Sequence, residues 1–128
     1  VDISKYIGIP YQSHGRSFDG CDCYGLARLV LKEEFGKTLP DIWNYTSAGH
    51  LPSVTRAFKE NAPILADRVK TPKPGDVILY RFFGYTSHMG VYVGDGKVLH
   101  ITANTHSVCV PVDSGILRGR REGYYEIR

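Results

Sequence analysis

Three residues carry side chains able to run a nucleophilic reaction on a carbonyl carbon: Cys23, His88 and His100. Cys23 opens the amphipathic stretch "CYGLARLVLKEEFG". A helix start favours an anion such as a thiolate, because unpaired backbone N–H groups and the positive end of the macrodipole converge there. The position therefore predicts a lowered pKa for Cys23. A neighbouring imidazole would hold the thiolate as an ion pair and later protonate the leaving amine, while a second imidazole on its far nitrogen would fix its orientation. Cys at a helix start, His on a strand and a further polar residue on the next strand are the parts of a thiol-dependent acyl transfer site. The backbone N–H of Cys23 is the natural oxyanion donor.

Other uses of the same residues compete. Cys21 and Cys23 stand one residue apart, too cramped for an ordinary structural disulfide, and three cysteines leave one over. Cys21, Cys23, His88 and His100 together have the ligand types of a zinc site, although structural zinc ligands usually come in pairs with two or more residues between them.

For the three residues to meet, Cys23 must ride on a helix packed against a sheet that carries both histidines. Asp22 is a suitable N-cap, Leu26, Ala27 and Val30 form the apolar stripe, and Gly36 can take the left-handed conformation that ends the helix. A second helix is predicted from Ser53 to about Asn61, with Val54, Ala57 and Phe58 on one side and Pro63 beyond its end. After the turn cluster "TPKPGD" come "VILYRF", "HMGVYV", "KVLHIT", "SVCVPV" and "GYYEIR", which read as antiparallel strands. Helices first and strands afterwards indicate an α+β fold.

Register decides whether the histidines converge. A three-residue turn at Gly94-Asp95-Gly96 puts Val93 opposite Lys97, Gly90 opposite His100 and His88 opposite Thr102. His88 and His100 are then diagonal neighbours on one face, roughly 7–8 Å apart at the backbone. A two-residue loop would slip the pairing by one and send them to opposite faces. Gly90 leaves room beside them.

Composition narrows the alternatives. With 128 residues, 42% hydrophobic and 23% charged, the chain reads as one domain over residues 1–128 that can bury a core without staples. The formal charge of +3 is small, and Lys and Arg are scattered except in "LRGRREG", so nucleic acid is not the expected partner. No apolar run reaches membrane-spanning length and no charged-then-apolar leader opens the chain. Val1 in place of Met implies processing or excision from a longer protein.

The segments "GIPYQSHGRSFDGCDCYGLARLV", "PGDVILY" and "SHMGVYVGDGKVLH", followed by a closing aromatic strand, resemble the NlpC-type cell-wall cysteine peptidases, a papain-like family, along nearly the whole chain. The resemblance implies a papain-like α+β fold with the nucleophile helix on an antiparallel sheet of about five to six strands. It implies hydrolysis of peptidoglycan stem peptides, usually between D-γ-glutamate and diaminopimelate or lysine, with no metal or other cofactor. It assigns Cys23 as nucleophile, His88 as base and His100 as orienting residue, and places the Tyr11 hydroxyl near the thiol or oxyanion. Tyr24 stands where most cell-wall members have Ser, and His14 where a small residue is common. Together with Cys21, Tyr24 makes the segment most similar to the phage-tail and prophage branch, which implies a virion or the bacterial cell envelope as location and phage tail proteins as partners. A non-catalytic wall-binding or tail module with an idle cleft is the competing class.

Tyr24, Trp43 and Asp22 are the substrate-binding candidates, Trp43 as an aromatic in the loop after the first helix. Cys21 and Cys109 read as packing residues, and His50 and His106 have no motif around them. Tyr85, Tyr92, Tyr124 and Tyr125 read as half-buried sheet residues.

Overall fold

The computed structural model describes residues 2–128. After a short 3-10 turn at Ser4–Tyr6, strands β1 (Arg16–Ser17) and β2 (Gly20–Cys21) form a small hairpin that runs directly into helix α1 (Cys23–Phe35). Helix α2 (Leu51–Leu65) follows a long loop, and then come β3 (Ala66–Val69), β4 (Val77–Phe82), β5 (Tyr85–Gly94), β6 (Lys97–His100), β7 (Val108–Pro111) and β8 (Arg121–Ile127). The last six strands make one sheet in the order β3-β8-β4-β5-β6-β7, with every pairing antiparallel. Two helices on such a sheet are the α+β architecture expected from the sequence. No helix among the described residues is long and apolar enough to cross a membrane.

Both predicted ends of α1 are present. The Asp22 side chain accepts from the Gly25 N–H, and Gly36 takes φ 64° and donates its N–H to the Leu31 carbonyl. Leu26, Val30 and Leu31 pack with Val77, Leu79, Met89, Val91, Leu99 and Ile101, a core between α1 and one face of the sheet. The other face carries a smaller cluster of Ile78, Tyr80, Val98, Val112 and Leu117.

Helix α2 exceeds its predicted limits, because Pro63 lies inside it rather than beyond it. Proline removes one N–H and crowds the preceding turn, but the last turn is held from outside. The Arg128 guanidinium donates to the carbonyls of Pro63 and Ile64, at 3.0 and 2.7 Å, and the Arg128 N–H donates to Leu65. Strand β3, absent from the strands expected from the sequence, carries Asp67 and Arg68 exposed on the sheet edge, a charge pattern that protects an edge.

The β5–β6 hairpin arrives at the anticipated register by another route. Gly94 pairs with Lys97, so the turn is the two residues Asp95 and Gly96, both with positive φ as a type I′ turn requires. A bulge then inserts Val93, and Tyr92 pairs with Val98 and Val91 with Leu99. The two-residue turn alone would have separated the histidines, and the bulge restores them to one face.

Candidate active site

Cys23 is the first residue of α1, and its position is set by a close clamp between the helix start and the preceding hairpin. A β-carbon on Gly25 would stand 1.9 Å from the Gly15 carbonyl oxygen, and one on Gly15 would stand 2.3 Å from that of Gly20. Only glycine allows the two segments to approach this way. Asp22, buried to 1% exposure, fastens the same junction. One carboxylate oxygen accepts from the Gly25 N–H at 2.8 Å and the Arg16 guanidinium at 3.0 Å; the other accepts from the His14 N–H at 2.8 Å and the Tyr45 hydroxyl.

His88 and His100 are likewise buried and bonded to each other, Nε2 to Nδ1, at 3.0 Å. They stand on the sheet face of Tyr80 and Phe82, whose rings flank His88. Met89, the next residue along β5, faces α1 instead, in the core against which Cys23 packs. Cys23 and His88 therefore reach the same space from opposite sides of one strand. Both line a cleft of about 320 Å³, together with Tyr11, Ser87 and Thr102. His88 Nδ1 and the Cys23 N–H have no hydrogen-bond partner among the described residues.

Tyr11 is carried into the cleft by backbone bonds on both sides. Its N–H donates to Thr105, while Gln12 N–H donates to the Cys21 carbonyl and Cys21 N–H to that of Pro10. Its hydroxyl, like that of Ser87, has no protein partner among the described residues.

The electrostatics correct one expectation. The Cys23 thiol is not lowered by the helix start but pushed up to about 12, by burial first and then by the Asp22 carboxylate, which outweigh the hydrogen bonds from Met89 and Tyr24 and the charge of Arg16. Burial and the neighbouring His100 push His88 down to about 3, and burial pushes His100 down to about 4. Tyr11 rises to about 12, through burial, Cys23 and Asp22 in that order. These directions favour the uncharged forms, a thiol on Cys23 and neutral imidazoles on His88 and His100.

The remaining candidates fall elsewhere. Tyr24 is 6% exposed, donates its hydroxyl to the Pro40 carbonyl at 2.7 Å and does not line the cleft, so it offers no surface to a substrate there. Asp22 is behind Cys23 with all its acceptor capacity near saturation. Trp43 is 55% exposed, as a substrate-facing aromatic would be, but its ring stacks on His14 at 4.9 Å beside the Arg16 guanidinium, outside the lining of the cleft. Cys21 is buried with its thiol donating to the Ser17 carbonyl. It does not join Cys23, His88 and His100, and no cluster of three or more His, Cys, Asp or Glu suited to a metal forms among the described residues, so the zinc alternative lacks its ligand set. His50 caps α2. No local motif in the sequence singles out Arg16 or Tyr45, because the partners of Arg16 are spread from Asp22 to Tyr45.

A family model described as the NlpC/P60 family matches residues 8–120. The chain is 31% identical over 112 residues to a probable endopeptidase of Mycobacterium tuberculosis, covering 84% of this chain and 24% of that protein. It is 26% identical over 98 residues to the murein DD-endopeptidase MepS/murein LD-carboxypeptidase of Escherichia coli K12, covering 77% of this chain and 45% of the relative. The chain thus spans less than half the length of either. A crystal structure of a NlpC/P60 family protein from Bacillus cereus superposes with a TM-score of 0.65 at 24% identity, over 93% of this chain and 35% of that one.

Proposed function

Since the chain belongs to the NlpC/P60 family, we propose that it is a cysteine-type endopeptidase acting on the stem peptides of bacterial peptidoglycan, with Cys23 as nucleophile, His88 as base and His100 as positioning residue. The observation that carries the reading is one cleft lined by both Cys23 and His88, with the far nitrogen of His88 held by His100 at 3.0 Å.

The neutral pair sets the order of events. In the tautomer that donates Nε2–H of His88 to His100 Nδ1, the open Nδ1 is the acceptor for the thiol proton. As the sulfur–carbon bond forms, that proton moves to His88 and the carbonyl π electrons move onto oxygen, where the Cys23 N–H and the Tyr11 hydroxyl can donate. Collapse of the tetrahedral intermediate breaks the C–N bond, and the imidazolium gives its proton to the leaving amine. Water, deprotonated by the same nitrogen, then hydrolyses the thioester and releases the thiol. His100 contributes an acceptor without formal charge, so it orients His88 more than it stabilises the imidazolium.

The scissile bond is placed between D-γ-glutamate and diaminopimelate or lysine on the family resemblance of the motifs around Cys23 and His88. The same resemblance, through Cys21 and Tyr24, supports work at the bacterial envelope or in a phage tail that opens it. Mass spectrometry of muropeptides after digestion with the wild-type chain, Cys23→Ala and Cys23→Ser tests activity, nucleophile and bond together. New free amino termini in the wild type alone are the expected result. Retained peptidoglycan binding with no product from any form would establish a non-catalytic wall-binding module instead.

A further inference from the structure

The cleft that holds Cys23 and His88 is built without formal charge. None of the chain's 16 Lys and Arg or 13 Asp and Glu residues lines it. Its walls are apolar, formed by Leu51, Phe82, Phe83, Ile101 and Ile116, with Phe83 84% and Ile116 54% exposed at the mouth. The polar groups on offer besides His88 and the Cys23 N–H are neutral hydroxyls, those of Tyr11, Ser87 and Thr102. The two arginines nearest these walls are held outside the lining. Arg16 is bonded to Asp22, Asp41 and Tyr45, and Arg120 stacks on the Phe82 ring at 4.7 Å without lining the cleft.

We infer that this cleft selects peptides whose carboxyl group next to the scissile amide is masked as a carboxamide, and discriminates against the free carboxylate. A carboxylate brought beside Cys23 would lose water and meet no cation in return. A carboxamide has both donors and an acceptor, and a hydroxyl can answer either. Tyr11 and Ser87 are unpartnered hydroxyls in the lining that can donate to either form, but only the amide returns N–H donors to their lone pairs, and only the acid brings a charge that nothing in the lining offsets. The exposed apolar rim at Phe83 and Ile116 suits a neutral chain entering from the wall polymer. The inference rests on the peptidase reading above and refines its substrate class.

The test is a matched pair of γ-D-glutamyl-L-lysine stem peptides, one with the D-glutamate α-carboxyl free and one with it amidated, assayed with the wild-type chain and with Phe83→Lys. The amide form is expected to have a kcat/KM about ten-fold higher or more, the scale of about 1.4 kcal/mol of unmatched desolvation. Phe83→Lys, at a site open enough to accept lysine, is expected to narrow the ratio by raising turnover of the acid. Equal rates, or preference for the acid, would overturn the inference while leaving the peptidase reading intact. Binding of both peptides to Cys23→Ala, by calorimetry, separates the remaining case. Tighter binding of the amide with no cleavage by wild type would refute the reading of the reaction and keep the selectivity, whereas equal binding or none would refute the selectivity.

Discussion

His88 Nε2 and His100 Nδ1 lie 3.0 Å apart with their ring planes close to perpendicular, at 81°, so one imidazole donates edge-on to a lone pair of the other. A neutral histidine in that place can fix a tautomer but cannot offset a charge. His100→Ala is therefore expected to lower kcat by about 10- to 100-fold with KM little changed, less than the loss of about 100-fold or more for His88→Ala. His100→Asn, which restores an acceptor, is expected to recover part of the rate. Steady-state kinetics on one soluble stem peptide checks all three.

Alkylation kinetics can distinguish a neutral Cys23 thiol beside a neutral His88 from a thiolate–imidazolium pair. Cys23 pushed up to about 12 is expected to react slowly with iodoacetamide near pH 7, and its rate should climb only in alkaline solution. Cys21, raised to about 11 and inaccessible, should be slower still. Peptide mapping of the modified sites against pH gives the result. Fast alkylation of Cys23 at pH 5–6 would demonstrate a thiolate–imidazolium pair and overturn the neutral assignment.

Burial of the two imidazoles also ties stability to acid. Their folded values, about 3 and about 4, lie below the ordinary 6.5, so between those limits the unfolded chain binds more protons than the folded one. Stability is expected to be independent of these groups above pH 6.5 and to fall as pH drops from 6.5 towards 3. Urea midpoints of the wild type and a His88→Leu/His100→Leu double variant, compared across pH, should diverge with the wild type showing the steeper acid loss.

Asp22 neutralises the partly buried Arg16 while capping α1, and both functions fail together when it is removed. Asp22→Ala is expected to cost about 3 kcal/mol or more in urea unfolding, the scale for breaking a buried ion pair. Asp22→Asn keeps the cap acceptor and should cost less. A double-mutant cycle with Arg16→Met is expected to show coupling, since removing both charges leaves neither unpaired.

Gly25→Ala tests the clamp at the helix start. The new methyl would stand 1.9 Å from a carbonyl oxygen, and the expected loss is about 1–3 kcal/mol of stability together with a fall in kcat as Cys23 is displaced from the cleft.

Much of this arrangement is legible in the residues. Asp22 and Gly36 mark α1 because capping is local chemistry, and the Val- and Tyr-rich runs mark the central strands for the same reason. Long-range effects are not local. Pro63 ends a helix by its own geometry, yet Arg128, 65 positions away, supplies donors to the last turn. The start of Cys23 on a helix suggests a thiolate, but burial and Asp22 prevail, and burial depends on the whole fold. Tyr24 is next to Cys23 in the chain and points away from it in space, because successive residues on a helix leave in different directions. Arg16 acquires its importance only when Asp22, Asp41 and Tyr45 are brought around it.

The bulge at Val93 makes the tip of the β5–β6 hairpin a parity element. Removing one residue at Asp95 or Gly96 obliges the strand either to erase the bulge or to turn His88 away from His100, whereas exchanging residues in pairs preserves the faces. Variation in that remote turn is thereby restricted by count as well as by the positive φ it demands, and a change of one residue in a solvent-exposed loop is coupled, through the bulge, to two side chains at the other end of the strand.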